Sequence, residues 1–314
     1  MAKGVPILGK DPLGKAKYAN VTESGDLRVQ LSGTFTEDIL SKVDLSNSLL
    51  ALISHGQTKA VLNSWQQVQH IVRAGLHHQV FQIGDQFVAT FNGQPVVWDV
   101  IGIDHDKPTD PRFTHSLTIQ SHDCLLNAQF DAPEPDNPDS YRQQYGSNRY
   151  LHSAIRQWLN SAETTFTWQP QHQYDVAPTG APYDGAGFLK LLDPDLVAVL
   201  GAVDKQVARI AVDGGGQDLF SDKVFLLSRV EVYGGPGGET GEAPYPYYES
   251  LAPSPTIDAL DGRIKYLGSS AYRWWLRSPH GSSTIVPFTV HPGGNVSTNS
   301  ASDSHGVAPA VVIV

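Results

Sequence analysis

Cysteine is nearly absent: Cys124 stands alone in 314 residues. No internal disulfide can form, so a fold akin to disulfide-bonded extracellular modules must be held by packing alone. Long hydrophobic runs are missing too, and nothing in the chain approaches the roughly 20 apolar residues that cross a bilayer. No membrane span is expected. The opening Met1-Ala-Lys-Gly-Val-Pro6 lacks the hydrophobic core of a signal peptide, which predicts synthesis in a cytoplasm. Positive charge is scarce, with 22 Lys and Arg against 32 Asp and Glu and a formal net charge of -10. Phosphate binding needs basic residues gathered on one face, and no such cluster occurs, so nucleic acid is excluded as a partner. The glycine runs Asp213-Gly-Gly-Gly216 and Gly234 to Gly238 lack the Gly-Lys-Ser/Thr ending of a phosphate loop and read as connectors.

Glycine and proline are plentiful, at 29 and 21 residues, above the usual share of roughly 12% for the two together. A loop-rich fold follows. Residues 1–34 have almost no apolar periodicity, being punctuated by Gly4, Pro6, Gly9, Pro12 and Gly14 before an alternating stretch, Asp26-Leu-Arg-Val-Gln-Leu31. An arm of this kind cannot bury itself. It is either a tail or a docking arm that adds a strand to another subunit. Residues 34–54 carry a helix pattern, with Thr34 or Thr36 as cap and Ile39, Val43, Leu50 and Ile53 on one face. The segment is too short for a convincing coiled coil, though it leaves room for a short dimeric or trimeric bundle.

Ser64 to Ala74 reads as an amphipathic helix, with Trp65, Val68, Ile71 and Val72 inward and Gly75 as its stop. Alternating Phe87, Ala89 and Phe91 lead to Asn92-Gly93, a hairpin signal, and then to a strand over Pro95 to Ile101. A strand is expected over His115 to Gln120 and a helix over Ser147 to Asn160, capped by Ser147 or Asn148. A further short helix is expected over 187–200 with Pro194 in its first turn. Asp222 to Val232 reads as a buried strand, and short strands at Ile285 to Val290 and Val307 to Val314 complete an α+β pattern.

Two tryptophans sit side by side in Ala271-Tyr-Arg-Trp-Trp-Leu-Arg-Ser-Pro279. Neighbours on a strand point to opposite faces, so Trp274 and Trp275 must anchor two different layers. With Trp98, Trp158 and Phe225 they form the expected core.

Several motifs occur in a fixed order: Trp98-Asp-Val, Tyr145-Gly-Ser-Asn, Trp158-Leu-Asn, Lys223-Val-Phe-Leu-Leu-Ser, Trp274-Trp-Leu-Arg-Ser-Pro279, Gly293-Gly-Asn-Val and Gly306-Val-Ala-Pro-Ala310. Over roughly residues 80–314 the chain thereby resembles a domain family of unknown function, recurrent in phage structural proteins and in Gram-positive bacterial proteins, with the signature WWLRSP…GVRPA. Ala308 stands where that family has Arg, so any ion pair made by that Arg is absent here. The arrangement is also similar to C-type-lectin-like folds. The arm is similar to the openings of phage head-fibre and decoration proteins, which attach by their N-terminus and display a C-terminal module.

The resemblance implies three regions: a virion-docking arm over 1–34, a helical linker or oligomerisation region over 35–78, and a C-type-lectin-like α+β domain of short antiparallel strands with two or more helices over 79–314. It implies a virion location and capsid or tail proteins as partners, reached through Val5, Ile7, Leu8, Leu27, Val29 and Leu31 of the arm. By analogy with capsid display proteins, a homo-oligomer, dimer or trimer, is expected. The role so implied is a phage virion structural protein, either capsid decoration or head or tail fibre, adhering to host or mucosal glycans. The alternative is a glycan-binding adhesion or receptor-binding protein without a capsid role.

The remaining residues are weighed by their chemistry. Three tyrosines in a Gly/Pro loop, Tyr245, Tyr247 and Tyr248, are the side chains that stack on sugars or fill a subunit contact. With the polar loop Ser282, Ser283 and Thr284 they form the candidate ligand surface. Glu134-Pro-Asp-Asn137 is similar to the calcium loop of calcium-dependent lectins, but calcium needs six to eight oxygens from several segments and no second segment is evident. Two histidine groups, His70, His77 and His78, then His105, His115 and His122 with Asp104, Asp106 and Asp123, match no zinc spacing and read as solvated loop residues. No metal site and no cofactor are expected, with calcium at the Glu134-Pro-Asp-Asn137 loop as the alternative. Cys124 beside His122 and Asp123 reads as a small buried apolar residue rather than a nucleophile. No acid/base pair or nucleophile elbow stands out, and a non-enzymatic role is expected.

Overall fold

The computed structural model describes residues 64–235, 242–249 and 261–314, together with the backbone of Ile7–Lys10, Ala16–Val21 and Leu27–Arg28. The chain forms two compact units, Met1–Gly56 and Gln57–Val314. In the first, strands β1 (Ile7–Lys10), β2 (Ala16–Val21) and β3 (Leu27–Arg28) make a three-stranded antiparallel sheet in that order. Ile7, Leu8 and Leu27 of the expected docking set lie on these strands. Val5, Val29 and Leu31 and the helix expected over 34–54 lie outside the described residues.

The second unit opens with helix α1 (Trp65–Arg73), whose beginning and inward face follow the sequence pattern. Ser64 Oγ accepts from the Gln67 N–H at 3.3 Å, and Trp65, Val68, Ile71 and Val72 are buried. This helix, placed by sequence in a linker region, belongs to the larger unit. Gln69 and Arg73 donate from it to the carbonyl of Val314 at 2.7 and 3.1 Å. A single turn α2 (His77–Val80) follows, then β4 (Gln86–Phe91) and β5 (Gln94–Ile103). Asn92 and Gly93 join them with φ of 48° and 72°, the left-handed pair that a two-residue hairpin requires.

Next come β6 (Leu117–Ser121), β7 (Leu126–Gln129), α3 (Ser140–Tyr145), α4 (Ala154–Leu159), α5 (Phe188–Leu191) and α6 (Pro194–Val199). They are followed by β8 (Val203–Ala208), β9 (Gln217–Asp222), β10 (Val224–Phe225), α7 (Arg229–Tyr233) and α8 (Pro246–Glu249). The chain closes with β11 (Lys265–Leu267), β12 (Ser270–Tyr272), β13 (Trp274–Pro279), β14 (Pro287–Val290), β15 (Val296–Thr298), β16 (Ser304–Val307) and β17 (Ala310–Ile313).

Two five-stranded sheets organise this unit, ordered β10-β17-β6-β5-β4 and β15-β14-β13-β16-β7, with small pairs β8-β9 and β11-β12. All pairings are antiparallel except β13 with β16. The architecture is therefore α+β, mostly small antiparallel sheets with a few short helices.

Three local expectations are corrected. The strand expected over Asp222 to Val232 stops at Phe225, because Ser228 and Glu231 form a capping box that starts α7: Ser228 Oγ accepts from the Glu231 N–H at 3.1 Å and Glu231 Oε2 from the Ser228 N–H at 2.8 Å. The helix expected from Ser147 is one 3₁₀ turn, Tyr150–His152, followed by α4, with Ser153 as the cap. The helix expected over 187–200 is two helices, the second beginning at Pro194 under an Asp193 cap.

Strand β13 is buried at every residue. Trp274 faces a core cluster with Ile101, Phe225, Val290 and Val312. Trp275 lies on the other side, edge-on to Phe130 at 5.6 Å and 4.7 Å from the His305 ring. Both indoles are satisfied, Trp274 by the Arg263 carbonyl at 3.0 Å and Trp275 by the Ala128 carbonyl at 2.9 Å. Trp98, Trp158 and Phe225 are likewise wholly buried, and Ala308 sits in the core.

Candidate functional site

On β8, alternate residues point inward: Val203, Lys205 and Val207 are buried. A lysine in that position must find carboxylates or lose its charge. Lys205 Nζ lies 2.6 Å from Asp106 Oδ1 and 2.5 Å from Glu231 Oε1. The Tyr245 hydroxyl is 3.2 Å from the same ammonium and donates to Asp106 Oδ2 at 2.8 Å, and Thr118 Oγ1 donates to that oxygen as well. From β13, Arg277 donates to Glu231 Oε2 at 2.6 Å, to the Leu226 carbonyl at 2.7 Å and to Glu242.

Five charged side chains from three elements and two loops thus share one buried network. Burial alone would raise the Glu231 carboxyl, but the Arg277 and Lys205 charges outweigh it and hold it down to about 2. Burial likewise works against the Lys205 ammonium, and Asp106 and Glu231 keep it above its ordinary range. Burial pushes Glu242 up, against the pull of Arg277. Lys205 is therefore a saturated cation and not a free amine nucleophile. The network borders a cleft of about 670 Å³ that Asp106, Lys205, Phe220, Glu231 and Glu242 help to line.

Tyr245 and Tyr248, expected on an exposed loop, are core residues, and only Tyr247 of the three is partly exposed. Their hydroxyls explain the inversion: Tyr245 completes the Asp106–Lys205 network, and Tyr248 donates to Gln120 Oε1 at 2.5 Å. They cannot stack on a sugar. Ser282 is exposed and Ser283 and Thr284 are partly buried, so this half of the expected ligand surface does reach solvent.

The Ser282–Thr284 loop is held by its backbone. Asn148 donates to the Ser283 carbonyl at 2.8 Å and accepts nothing from it, its own N–H reaching the Thr284 carbonyl at 3.2 Å; Arg142 Nε reaches the same Thr284 carbonyl at 3.3 Å. Nearby, Asn137, Arg142, Arg149, His152, His172 and Tyr174 line a cleft of about 350 Å³. Arg142 and Arg149 are oriented there by Asp213 and Asp218, each at 2.8 Å. Burial, then the Arg149 charge, lowers the His152 imidazole to about 4, whereas Glu134 raises that of His172.

The Glu134-Pro-Asp-Asn137 segment does not present a calcium cage. Glu134 and Asn137 are buried, hydrogen-bond each other, and the other Glu134 oxygen lies 3.3 Å from His172 Nε2. An imidazole occupies the side from which calcium would need further oxygens. Cys124 is buried as expected, and burial pushes its thiol up to about 12, which keeps it protonated.

The histidines depart from the solvated-loop expectation. His122 pairs with buried Asp99 at 2.8 Å and His105 packs on Tyr245 at 4.1 Å between ring centroids. His77 and His78 from the first group meet Asp104 and His115 from the second, and His77 is wholly buried.

The sequence carried one overlooked signal of the ion network: Glu231 interrupts the apolar run Val230-Glu-Val232, and a carboxylate inside such a run demands a cation. Its partners lie too far along the chain to be inferred.

A family model described as a domain of unknown function, DUF6273, matches residues 119–314. The match spans more than half of the chain, and the protein belongs to this family. No curated protein and no solved structure matches it. Lys205, Glu231, Glu242 and Arg277 lie inside the matched span, while Asp104, Asp106 and the histidines around Asp104 precede it or, for Asp106, reach into the network from outside.

Proposed function

We propose that this chain is a bacteriophage virion structural protein, a capsid decoration or head or tail fibre subunit. Its first unit docks on the particle and its second displays a C-type-lectin-like module that adheres to host or mucosal glycans. The observation that carries this reading is the division into a small strand-built unit, Met1–Gly56, and a large, separately packed one, Gln57–Val314. That is the partition an anchor and a displayed module require. The lectin-like assignment is supported by the returning strand β17, inserted between β10 and β6 of one sheet, and by the tryptophan strand β13 at the centre of the other. The cleft beside Ser282–Thr284 has Arg142, Arg149, His152 and His172 in its lining, the side chains that on this reading would meet sugar hydroxyls.

The test is co-sedimentation of the purified full chain, and of residues 57–314, with particles lacking this protein. Binding by the full chain and not by the truncated one is expected. Equal binding by both would overturn anchoring through the first unit. A glycan array probed with residues 57–314 addresses the ligand, and an empty array would remove the adhesive part of the reading. A positive array without particle binding would favour an adhesion protein with no capsid role.

A further inference from the structure

Three imidazoles converge on one carboxylate. His77 and His78 sit on the single turn α2, Asp104 follows β5 in a left-handed conformation with φ of 52°, and His115 leads into β6. His77 Nε2 is 2.9 Å from Asp104 Oδ1, His78 Nε2 is 2.9 Å from Oδ2, and His115 Nδ1 is 3.2 Å from Oδ2. The donor atoms of His77, His78 and Asp104 all lie within 4.8 Å of one another. Donors held about 2.0–2.1 Å from one tetrahedral zinc ion stand roughly 3.3 Å apart, so small rotations place this set on a single ion.

Hydrogen bonds to Asp104 account for His78, at 2.9 Å, and for His115, at 3.2 Å, but not for His77. His77 is wholly buried, yet neither of its ring nitrogens makes a hydrogen bond: Nε2 is close to Asp104 Oδ1 but off the line a hydrogen bond needs. Buried polar atoms ordinarily have a partner, and this one points at the carboxylate. Asp104 is itself oriented by the Ser116 N–H, which donates to Oδ1 at 2.9 Å. A second-sphere donor of this kind fixes a metal-binding carboxylate. The Asp104 and His78 side chains are 28% and 58% exposed, which gives an ion a path from solvent.

The structure assigns to this cluster a site for a borderline divalent transition-metal ion, zinc foremost, ligated by His77 Nε2, His78 Nε2 and a carboxylate oxygen of Asp104, with His115 Nδ1 holding that carboxylate. Two imidazoles and one carboxylate suit zinc and disfavour calcium and magnesium, which take oxygen cages. The ligands come from α2 and from the start of the β5–β6 connection, so the ion would fasten the opening helices to the sheet. All three ligands, and His115, precede Ile119 and so lie outside the span matched by the family model.

The experiment uses the full chain, stripped with a chelator, dialysed, and titrated with zinc chloride by calorimetry, with bound zinc counted by elemental analysis and thermal unfolding followed in parallel. One zinc per chain and a raised unfolding midpoint are expected. His78→Ala and His115→Ala change partly exposed residues, so their folding is not at stake, and each is expected to weaken zinc binding by about tenfold or more. His291→Ala, remote in sequence and outside the cluster, is expected to bind as the parent does. Absence of stoichiometric zinc, or affinities unchanged in both His78→Ala and His115→Ala, would overturn the assignment, as would equal weakening by His291→Ala.

Discussion

Arg277 Nη1 lies 2.6 Å from Glu231 Oε2, and both side chains are closed to solvent. This contact joins the tryptophan strand β13 to the capping box of α7, since the same Glu231 oxygen accepts the Ser228 N–H. Arg277→Met removes the guanidinium that Glu231 and Glu242 share, leaving Glu231 to Lys205, and is expected to cost about 3–5 kcal/mol in urea unfolding. Arg277→Lys should recover little of it, because an ammonium cannot reproduce the fork that also reaches the Leu226 and Gln206 carbonyls. A lysine variant as stable as the parent would show that the fork geometry is unimportant.

Trp274 and Trp275 support different layers, so either substitution alone should be severe. Alanine at either position is expected to cost about 3–5 kcal/mol, from lost burial and the cavity left behind. Each also orphans a carbonyl, that of Arg263 or of Ala128. Soluble variants with parental unfolding midpoints would contradict the assignment of β13 as scaffold.

Acid sensitivity should trace to Glu231. Its folded-state pKa, about 2, is below its unfolded one, so its contribution to stability is present above the ordinary glutamate value of roughly 4.3 and is lost as pH falls toward 2. Glu242 has the opposite sign: its carboxyl is raised by burial, so its contribution is present below the ordinary value and is lost as pH climbs through the folded one. Glu231→Gln is expected to be less stable at neutral pH and to lose less stability between pH 5 and 2. Denaturant titrations across that range check it, and parallel pH profiles for variant and parent would contradict it.

Gly306 has no room for a side chain. A Cβ there would collide with Cys124 Sγ and come within 3.0 Å of the Arg273 carbonyl oxygen, at the point where β13 and β16 pair in parallel. Gly306→Ala is expected to cost roughly 1–3 kcal/mol by overpacking. An unchanged thermal midpoint would mean that the strand pair yields freely.

Much of the scaffold was legible in the sequence because its signals are local. Ser64 and the inward face of α1, the Asn92-Gly93 hairpin, and the burial of Trp98, Trp158, Phe225, Trp274 and Trp275 each follow from neighbours in the chain or from side-chain size. The strand expected through Val232 failed because a short apolar run has the same look in a buried strand and a buried helix, and the Ser228-x-x-Glu231 box that decides it was overlooked. Tyr245 and Tyr248 were misplaced because loop composition suggested exposure, while their partners, Asp106 and Gln120, arrive from distant strands. The histidines misled for the same reason: His77 and His115 become neighbours only when α2 packs beside the β5–β6 connection.

A particle reconstruction that includes this protein tests the proposed role most directly. The account predicts density for Met1–Gly56 against the capsid or tail surface and for Gln57–Val314 projecting into solvent with the Ser282–Thr284 loop face accessible. Particles without this density, or with the larger unit seated on the shell and its loop face covered, would contradict it.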